Sequence, residues 1–253
     1  MHADLEARVQ RERQAHNAGI SRSGYQRAFG HAGHFYTRKC NAVVAATLKE
    51  HEAGRFLEIG SVSWQWWIEP FGIEPHSLTC INISEVELQK GIDIAARSKT
   101  KPDFKLMDAH KLDFPENSFD VVYGVGILHH LDYERALLEI LRVLRPGGVM
   151  IFQEPLALNP VGMIIRRLTP HARTVDEQPL RPRELALCKK LFDTTFYFQQ
   201  LFSVPAGVIS RLVQSKPENW LTKSAFVADE TVLKLAPWMG PLYRMVLITG
   251  RKR

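Results

Sequence analysis

The stretch that decides the fold is DAHKLDFPENSFDVVYGVGILHHL, which spans residues 108–131. Turn-forming residues cluster in PENS at 115–118, and the apolar run FDVVYGV follows at 119–125. A short apolar run bounded by a turn is typical of a strand buried on both faces of a parallel sheet. The sequence therefore predicts such a strand here, with His129 and His130 just beyond its carboxyl end.

Similar apolar runs recur on both sides of this stretch. They predict further strands at 55–60, 77–83, 104–107, 149–153 and 243–250. A helix is predicted to open with the capping box at 84–87, and another at 132–144 ends at the RPGG of 145–148. Strands that alternate with helices predict an α/β fold with a parallel sheet, which binds ligands beyond the carboxyl ends of its strands.

The segments outside this alternation are predicted to be helical. Helices at 4–18 and 37–51 precede the first strand, and residues 155–239 are interpreted as a helical elaboration of the same domain. We therefore expect a single domain in four parts: an N-terminal helical lid at 1–54, a core at 55–155, a substrate-side elaboration at 156–239, and a last strand with a basic tail at 240–253.

Charge and cysteine content narrow the function. Residues 51–154 hold 10 Lys and Arg against 16 Asp and Glu, a net charge of −6, whereas the rest of the chain has a net charge of +12. The basic residues form no long run and no zinc-finger or RNA-binding motif, so no nucleic-acid partner is predicted. Three cysteines without a C-x-x-C pair, a charged N-terminus and no long apolar run favour a reducing, cytoplasmic location without a membrane span.

Three fragments in order resemble the class I S-adenosylmethionine-dependent methyltransferases, and most closely their small-molecule group. They are residues 108–120, their continuation to 131, and LRPGG at 144–148. The resemblance covers about residues 55–155 and, less distinctly, the final strand. It implies a Rossmann-like, seven-stranded, mostly parallel and doubly wound sheet, with the N-terminal helices and a helical insertion forming a lid, and S-adenosylmethionine as the cofactor.

The resemblance also implies a cofactor site. Asp108 is expected to accept a hydrogen bond from the adenine amino group beside the backbone of Ala109, with Gly124 and Val125 beneath the methionine part. The structural alternatives are a turn cap for Asp108 and a packing glycine for Gly124. No metal site is predicted. The predicted cofactor-binding residues are Glu58, Gly60, Ser61, Asn82, Ile83, Asp108, Ala109, Gly124 and Val125.

Two departures from the family pattern affect this site. The family's first loop is acid-x-Gly-x-Gly-x-Gly, whereas residues 58–64 are EIGSVSW, and Asn82 stands where the family has a ribose-binding acid. Glu85 is either a substitute for that acid or a surface residue. The alternative hypothesis is a non-catalytic, methyltransferase-like binding or scaffold protein whose pocket is filled by Trp64. The sequence favours two locations equally for Trp64, Trp66 and Trp67: the core beneath the loop, or the wall of the cofactor or substrate pocket.

Candidate catalytic groups follow the fourth and fifth strands. A histidine near its ordinary pKa of about 6.5 can take a proton from an attacking oxygen or nitrogen, and the resemblance favours His129 over His130. Glu154 is expected to contact the substrate, with an arginine pair as its structural alternative. Further candidates are Tyr25, His31 and His34 in the N-terminal loop, and Arg166, Arg167, Arg173 and Arg181 as sites for an anionic group.

The predicted function is O- or N-methylation of a small organic, natural-product or lipid-like acceptor. Mixed apolar and basic residues at 163–168, with aromatic residues at 191–202, suit a hydrophobic acceptor that carries an anionic group, or at most peripheral contact with an anionic membrane. Most of these residues are assigned to a helical cap that packs onto the domain. The sequence lacks the G-x-G-x-x-G motif of a nicotinamide-dependent enzyme. It does not decide whether the protein is a monomer or a homodimer.

Overall fold

A single seven-stranded sheet forms the centre of the computed structural model, which describes residues 2–19, 29–172, 174–213 and 216–253. Tyr25 and Arg173 lie outside the described residues. The strand order is β3-β2-β1-β4-β5-β7-β6, with β1 to β5 parallel and β7 antiparallel to both of its neighbours. This confirms the predicted α/β, Rossmann-like sheet. The strands are β1 Arg55–Ile59, β2 Ser77–Asn82, β3 Asp103–Leu106, β4 Phe119–Val125, β5 Leu144–Pro155, β6 Asp193–Gln199 and β7 Met245–Arg251.

Helices cover both faces of the sheet because its central strands are apolar on both sides. One core contains Leu57, Val122 and Ile140, and the other contains Leu48 and Phe56, all with no exposed surface. None of the helices in the described ranges is long and apolar enough to cross a membrane. The helices are α1 His2–Ala18, α2 His34–Lys49, α3 Trp64–Trp67, α4 Glu85–Arg97, α5 Tyr133–Val143, α6 Pro160–Leu168, α7 Pro182–Leu191, α8 Ser203–Val213 and α9 Trp220–Leu235.

Strand β6 corrects the prediction that residues 155–239 are helical throughout. Its sequence, DTTFYFQ, is rich in threonine and aromatic residues, which favour a pleated and half-buried strand. Phe196 pairs with Ile248 of β7, and Phe198 packs against Tyr243. The helical interpretation was wrong because the partner strand lies far along the chain, where local periodicity gives no information about it.

The carboxyl ends of the parallel strands meet α1 at one edge of the sheet. The Arg8 guanidinium donates hydrogen bonds to the carbonyl oxygens of His130 (3.0 Å) and Leu131 (2.9 Å), just beyond β4. Arg13 pairs with Glu85 at the start of α4. Helix α1 therefore lies over the edge where the predicted site residues collect.

Candidate functional site

A cavity of about 600 Å³ lies beyond the carboxyl ends of β1, β2 and β4. Its volume lies within the range of about 300–1,000 Å³ that is usual for small-molecule sites. Helix α1 supplies Arg8, Glu12 and His16 to the opposite wall. The predicted cofactor residues that line the cavity are Gly60, Ser61, Asn82, Ile83, Asp108, Ala109 and Val125.

Glu58 lies beneath the cavity and does not line it. Its fully buried carboxylate accepts hydrogen bonds from the backbone N–H groups of Ser63 (2.7 Å) and Trp64 (2.8 Å) and from the Tyr123 hydroxyl (2.8 Å). Burial raises the pKa of Glu58, and these hydrogen bonds favour its charged form. Glu58 thus shapes the loop after β1 from below.

The loop after β1 retains the one glycine that its backbone requires. Gly60 has a φ of +124°, which other residues rarely adopt. Trp64, at a position where the family has glycine, is fully buried, and its indole N–H donates to the Ser61 carbonyl oxygen (3.2 Å). Trp67 is also buried in the core, whereas Trp66 is 53% exposed and lines the cavity. Trp64 therefore does not fill the pocket.

Gly124 does not line the cavity either. A Cβ atom there would lie 2.8 Å from the Ile59 carbonyl oxygen and 2.9 Å from the Phe152 ring, both closer than van der Waals contact. Its structural alternative, a packing glycine within the sheet, explains this geometry. The neighbouring Val125 faces the cavity.

The Asn82 side chain is held by the protein around it. Its amide nitrogen donates to Ser61 Oγ (3.0 Å), and its amide oxygen accepts from the Ser84 N–H (3.0 Å). Glu85 pairs with α1 outside the cavity, whereas Glu87, which the sequence analysis placed only in the capping box, lines it. Of the two acidic residues in the capping box, Glu87 is therefore the one at the cavity, and its carboxylate also pairs with Lys90 (2.7 Å).

Asp108 has a fixed orientation at the cavity wall. Its Oδ1 accepts hydrogen bonds from the backbone N–H (2.9 Å) and Nδ1 (2.6 Å) of His110, whose Nε2 accepts from the Asp132 N–H (2.8 Å). Burial opposes ionisation, but the His110 hydrogen bonds lower the pKa of Asp108 below its ordinary value. Asp108 thus presents a carboxylate to the cavity and caps a turn at the same time.

His129 and Glu154, both predicted as catalytic residues, form a buried pair and do not line the cavity. The Glu154 carboxylate has no exposed surface and accepts hydrogen bonds from the N–H groups of Ile127 (2.9 Å) and Leu128 (2.9 Å) and from His129 Nδ1 (2.6 Å). It therefore holds the turn that follows β4. The predicted alternative for Glu154, an arginine pair, is not what the structure shows.

His130 is the histidine that lines the cavity. Its Nδ1 lies 3.1 Å from Glu12 Oε2, and the Thr174 hydroxyl donates to Glu12 Oε1 (2.5 Å). The His16 ring packs edge-on against His130. Burial lowers the pKa of His130 to about 4, so the neutral imidazole donates from Nδ1 to Glu12. Its buried Nε2 then carries a lone pair with no partner among the described residues.

Two overlapping sets of side chains have ligand atoms close enough to share a metal ion. They are Glu12, His16 and His130, and His129, His130 and Glu177. Two imidazoles and one carboxylate are donors that zinc accepts. In this structure Glu12 is hydrogen-bonded to His130 and Thr174, and His129 Nδ1 is bonded to Glu154.

The remaining predicted residues lie away from this cavity. His31 Nδ1 lies 2.9 Å from the Ser210 hydroxyl, and His34 pairs with Glu218. Arg166 pairs with the buried carboxylate of Glu177 (2.6 Å). Arg167 and Arg181 are exposed. None of these side chains lines the cavity beside His130.

Residues 58–152 match the methyltransferase domain family. These residues form a class I S-adenosylmethionine-dependent methyltransferase domain. The chain is 35% identical over 99 residues to a glycine/sarcosine/dimethylglycine N-methyltransferase from Actinopolyspora halophila, a match that covers 36% of this chain and 18% of that protein. It is 31% identical over 124 residues to 27-O-demethylrifamycin SV methyltransferase from Amycolatopsis mediterranei, a match that covers 47% of this chain and 46% of that protein.

A solved structure shows the same fold over more of the chain. The N-methyltransferase NodS from Bradyrhizobium japonicum, crystallised with S-adenosylhomocysteine, superimposes with a TM-score of 0.53 and 13% identity over 85% of this chain and 86% of that one. The chain spans less than half the length of the two curated relatives that it matches.

The residues of the methyltransferase domain fit S-adenosylmethionine, the cofactor of such domains. Apolar side chains such as Ile83 and Met107 line the cavity next to the Asp108 carboxylate, as an adenine ring and its amino group require. On the opposite wall, the Glu12 carboxylate of α1 suits a positively charged sulfonium.

Proposed function

We propose that the protein transfers the methyl group of S-adenosylmethionine to an oxygen or nitrogen atom of a small organic, natural-product or lipid-like acceptor. The observation that carries this proposal is a neutral, carboxylate-held histidine, His130, on the same cavity as Asp108. When bound, the cofactor supplies a methyl group on a positively charged sulfur, and a bond forms between the acceptor atom and the methyl carbon as the carbon–sulfur bond breaks.

Three groups would hold the cofactor in place. Asp108 would accept from the adenine amino group, and Glu87 would accept from the ribose hydroxyls. Arg8 would bind the carboxylate of the methionine part, because it lines the cavity and its buried Nε has no partner within the described parts of the chain. This assignment gives the ribose a carboxylate despite the asparagine at position 82.

His130 would accept the proton that the acceptor atom loses. Its neutral form is the one that can take a proton. The lone pair lies on Nε2, which protein atoms cover, so the ring would have to shift for an acceptor atom to reach it. The Glu12 carboxylate at 3.1 Å from Nδ1 would stabilise the imidazolium that forms, and α1 would exclude water above it.

The alternative, a non-catalytic binding or scaffold protein, predicts an occluded cofactor pocket, with Trp64 as the candidate to fill it. That side chain lies in the core, and the cavity is open. This favours the enzyme.

Calorimetry with S-adenosylhomocysteine tests the cofactor site through a matched pair of variants. Asp108→Asn should raise the dissociation constant about tenfold, because one amide oxygen keeps the His110 bond and the NH₂ group faces the adenine amino group. Asp113→Asn is the control, since Asp113 is exposed outside the cavity. No binding to the unchanged protein at millimolar ligand would overturn the proposal, and binding without methyl transfer to any component of a cell extract would support the scaffold.

A further inference from the structure

Several exposed apolar side chains lie on two helices that contact each other, α6 and α8. On α6, Ile164 is 55% exposed and Leu168 is 75% exposed. On α8, Ile209 is 52% exposed and Leu212 is 81% exposed. Single exposed apolar residues are ordinary, but several on touching helices indicate an interaction surface. With the exposed residues Arg167 and Arg211, they form what we term the α6–α8 surface.

The charge of the α6–α8 surface identifies its partner. Helix α6 is PVGMIIRRL and helix α8 is SVPAGVISRLV, and neither contains an acidic residue. Exposed leucine and isoleucine next to arginine suit the boundary between the headgroups and acyl chains of an anionic bilayer. There the apolar side chains leave water, and each arginine meets lipid phosphate.

The topology starts both helices of this surface at the edge of the sheet where the cavity lies. Strands β5 and β6 run in the same direction because each is antiparallel to β7. Helix α6 follows β5 and helix α8 follows β6, so both begin at the carboxyl edge where the cavity lies. The α6–α8 surface thus starts at the edge of the sheet where the cavity lies.

We propose that the α6–α8 surface docks the protein onto anionic bilayers. Docking is a property of this surface and does not require methyl transfer. The corollary that the acceptor is an amphiphile dissolved in the bilayer rests on the proposed function above.

Co-sedimentation of the full chain with vesicles tests the docking. The protein should bind vesicles of phosphatidylcholine with 30% phosphatidylglycerol at least fivefold more tightly than vesicles of phosphatidylcholine alone. The double variant Leu168→Ser/Leu212→Ser should lose about tenfold in affinity for the anionic vesicles. Arg167→Gln/Arg211→Gln should lose about fivefold per arginine.

Matched controls lie on other elements of the fold. Leu106 on the edge strand β3 and Leu138 on α5 are also about half exposed, so Leu106→Ser/Leu138→Ser should bind vesicles as the unchanged protein does. Calorimetry with S-adenosylhomocysteine should give the same affinity for every variant, which separates docking from the cofactor site. Equal binding to both vesicle types, or no loss in Leu168→Ser/Leu212→Ser, would overturn the proposal. The proposal would also be overturned if the unchanged protein bound no vesicles and instead formed a dimer that Leu168→Ser/Leu212→Ser dissociates.

Discussion

The two walls of the cavity are held in place by different forces. The wall formed by the sheet rests on side chains that exclude water, such as Trp64 and Leu57, and its carboxylate, Glu58, is enclosed by hydrogen bonds. The wall formed by α1 rests on charged contacts, and Glu12 is the one buried side chain among residues 4–18. The first wall is therefore fixed by folding, whereas the second is held by interactions that pH and salt can weaken.

Removing the charge of Glu58 should cause the largest effect. In Glu58→Gln an NH₂ group would face the N–H groups of Ser63 or Trp64, which would cost about 2–4 kcal/mol of unfolding free energy and disrupt the loop. Urea denaturation and calorimetry with S-adenosylhomocysteine measure the two losses. Glu52→Gln, at an exposed position nearby, is the control, and equal stability of the two variants would show that the sheet wall does not depend on Glu58.

The next effect concerns the chemistry between the walls. His130→Gln should lower kcat about 100-fold and leave cofactor affinity within a factor of three, because the proposed proton acceptor is lost. In the unchanged protein the pKa of His130 is about 4, so the base form persists down to about pH 5 and is lost as the pH falls through 4. A pH–rate profile that falls already at pH 6.5 would assign the proton transfer to another group.

The same histidine should also make folding sensitive to acid. Its pKa is lower in the folded chain than the ordinary 6.5, so the unfolded chain binds the proton more readily between pH 6.5 and 4. Its contribution to stability therefore falls as the pH drops below 6.5. Urea midpoints at pH 7 and pH 5 should differ more in the unchanged protein than in His130→Gln.

The smallest effect is expected at the rim of α1. Arg11 pairs with Asp176 at 2.7 Å with half of its side chain exposed, so 0.5 M NaCl should weaken the contact and increase tryptic cleavage within α1 two- to threefold. Arg11→Gln should reproduce this at low salt. Arg183→Gln, which removes an ion pair within residues 183–184, is the control. Cleavage that does not change with salt would show that α1 is held by burial after all.

The difference between the walls also explains how much could be predicted. Strand ends in the 55–155 region identified Asp108 and the loop after β1, because buried strands leave a strong local pattern. That pattern did not tell which of two neighbouring residues faces the cavity. Packing decides that Val125 lines it and Gly124 does not, and that His130 lines it and His129 does not. The contact of Glu12 with His130 joins positions far apart in the chain, so no spacing in the sequence indicates it.

The place of β7 in the sheet has a consequence for protein synthesis. Strand β7 lies between β5 and β6, so β6 has no neighbour until residues 245–251 have left the ribosome. At a synthesis rate of about 5–20 residues per second, several seconds pass between the synthesis of α8 and the pairing of β6 with β7. The strands that form the cavity are all made earlier. The newly made protein should thus complete the strands around its cavity before β6 and α8 reach their final positions.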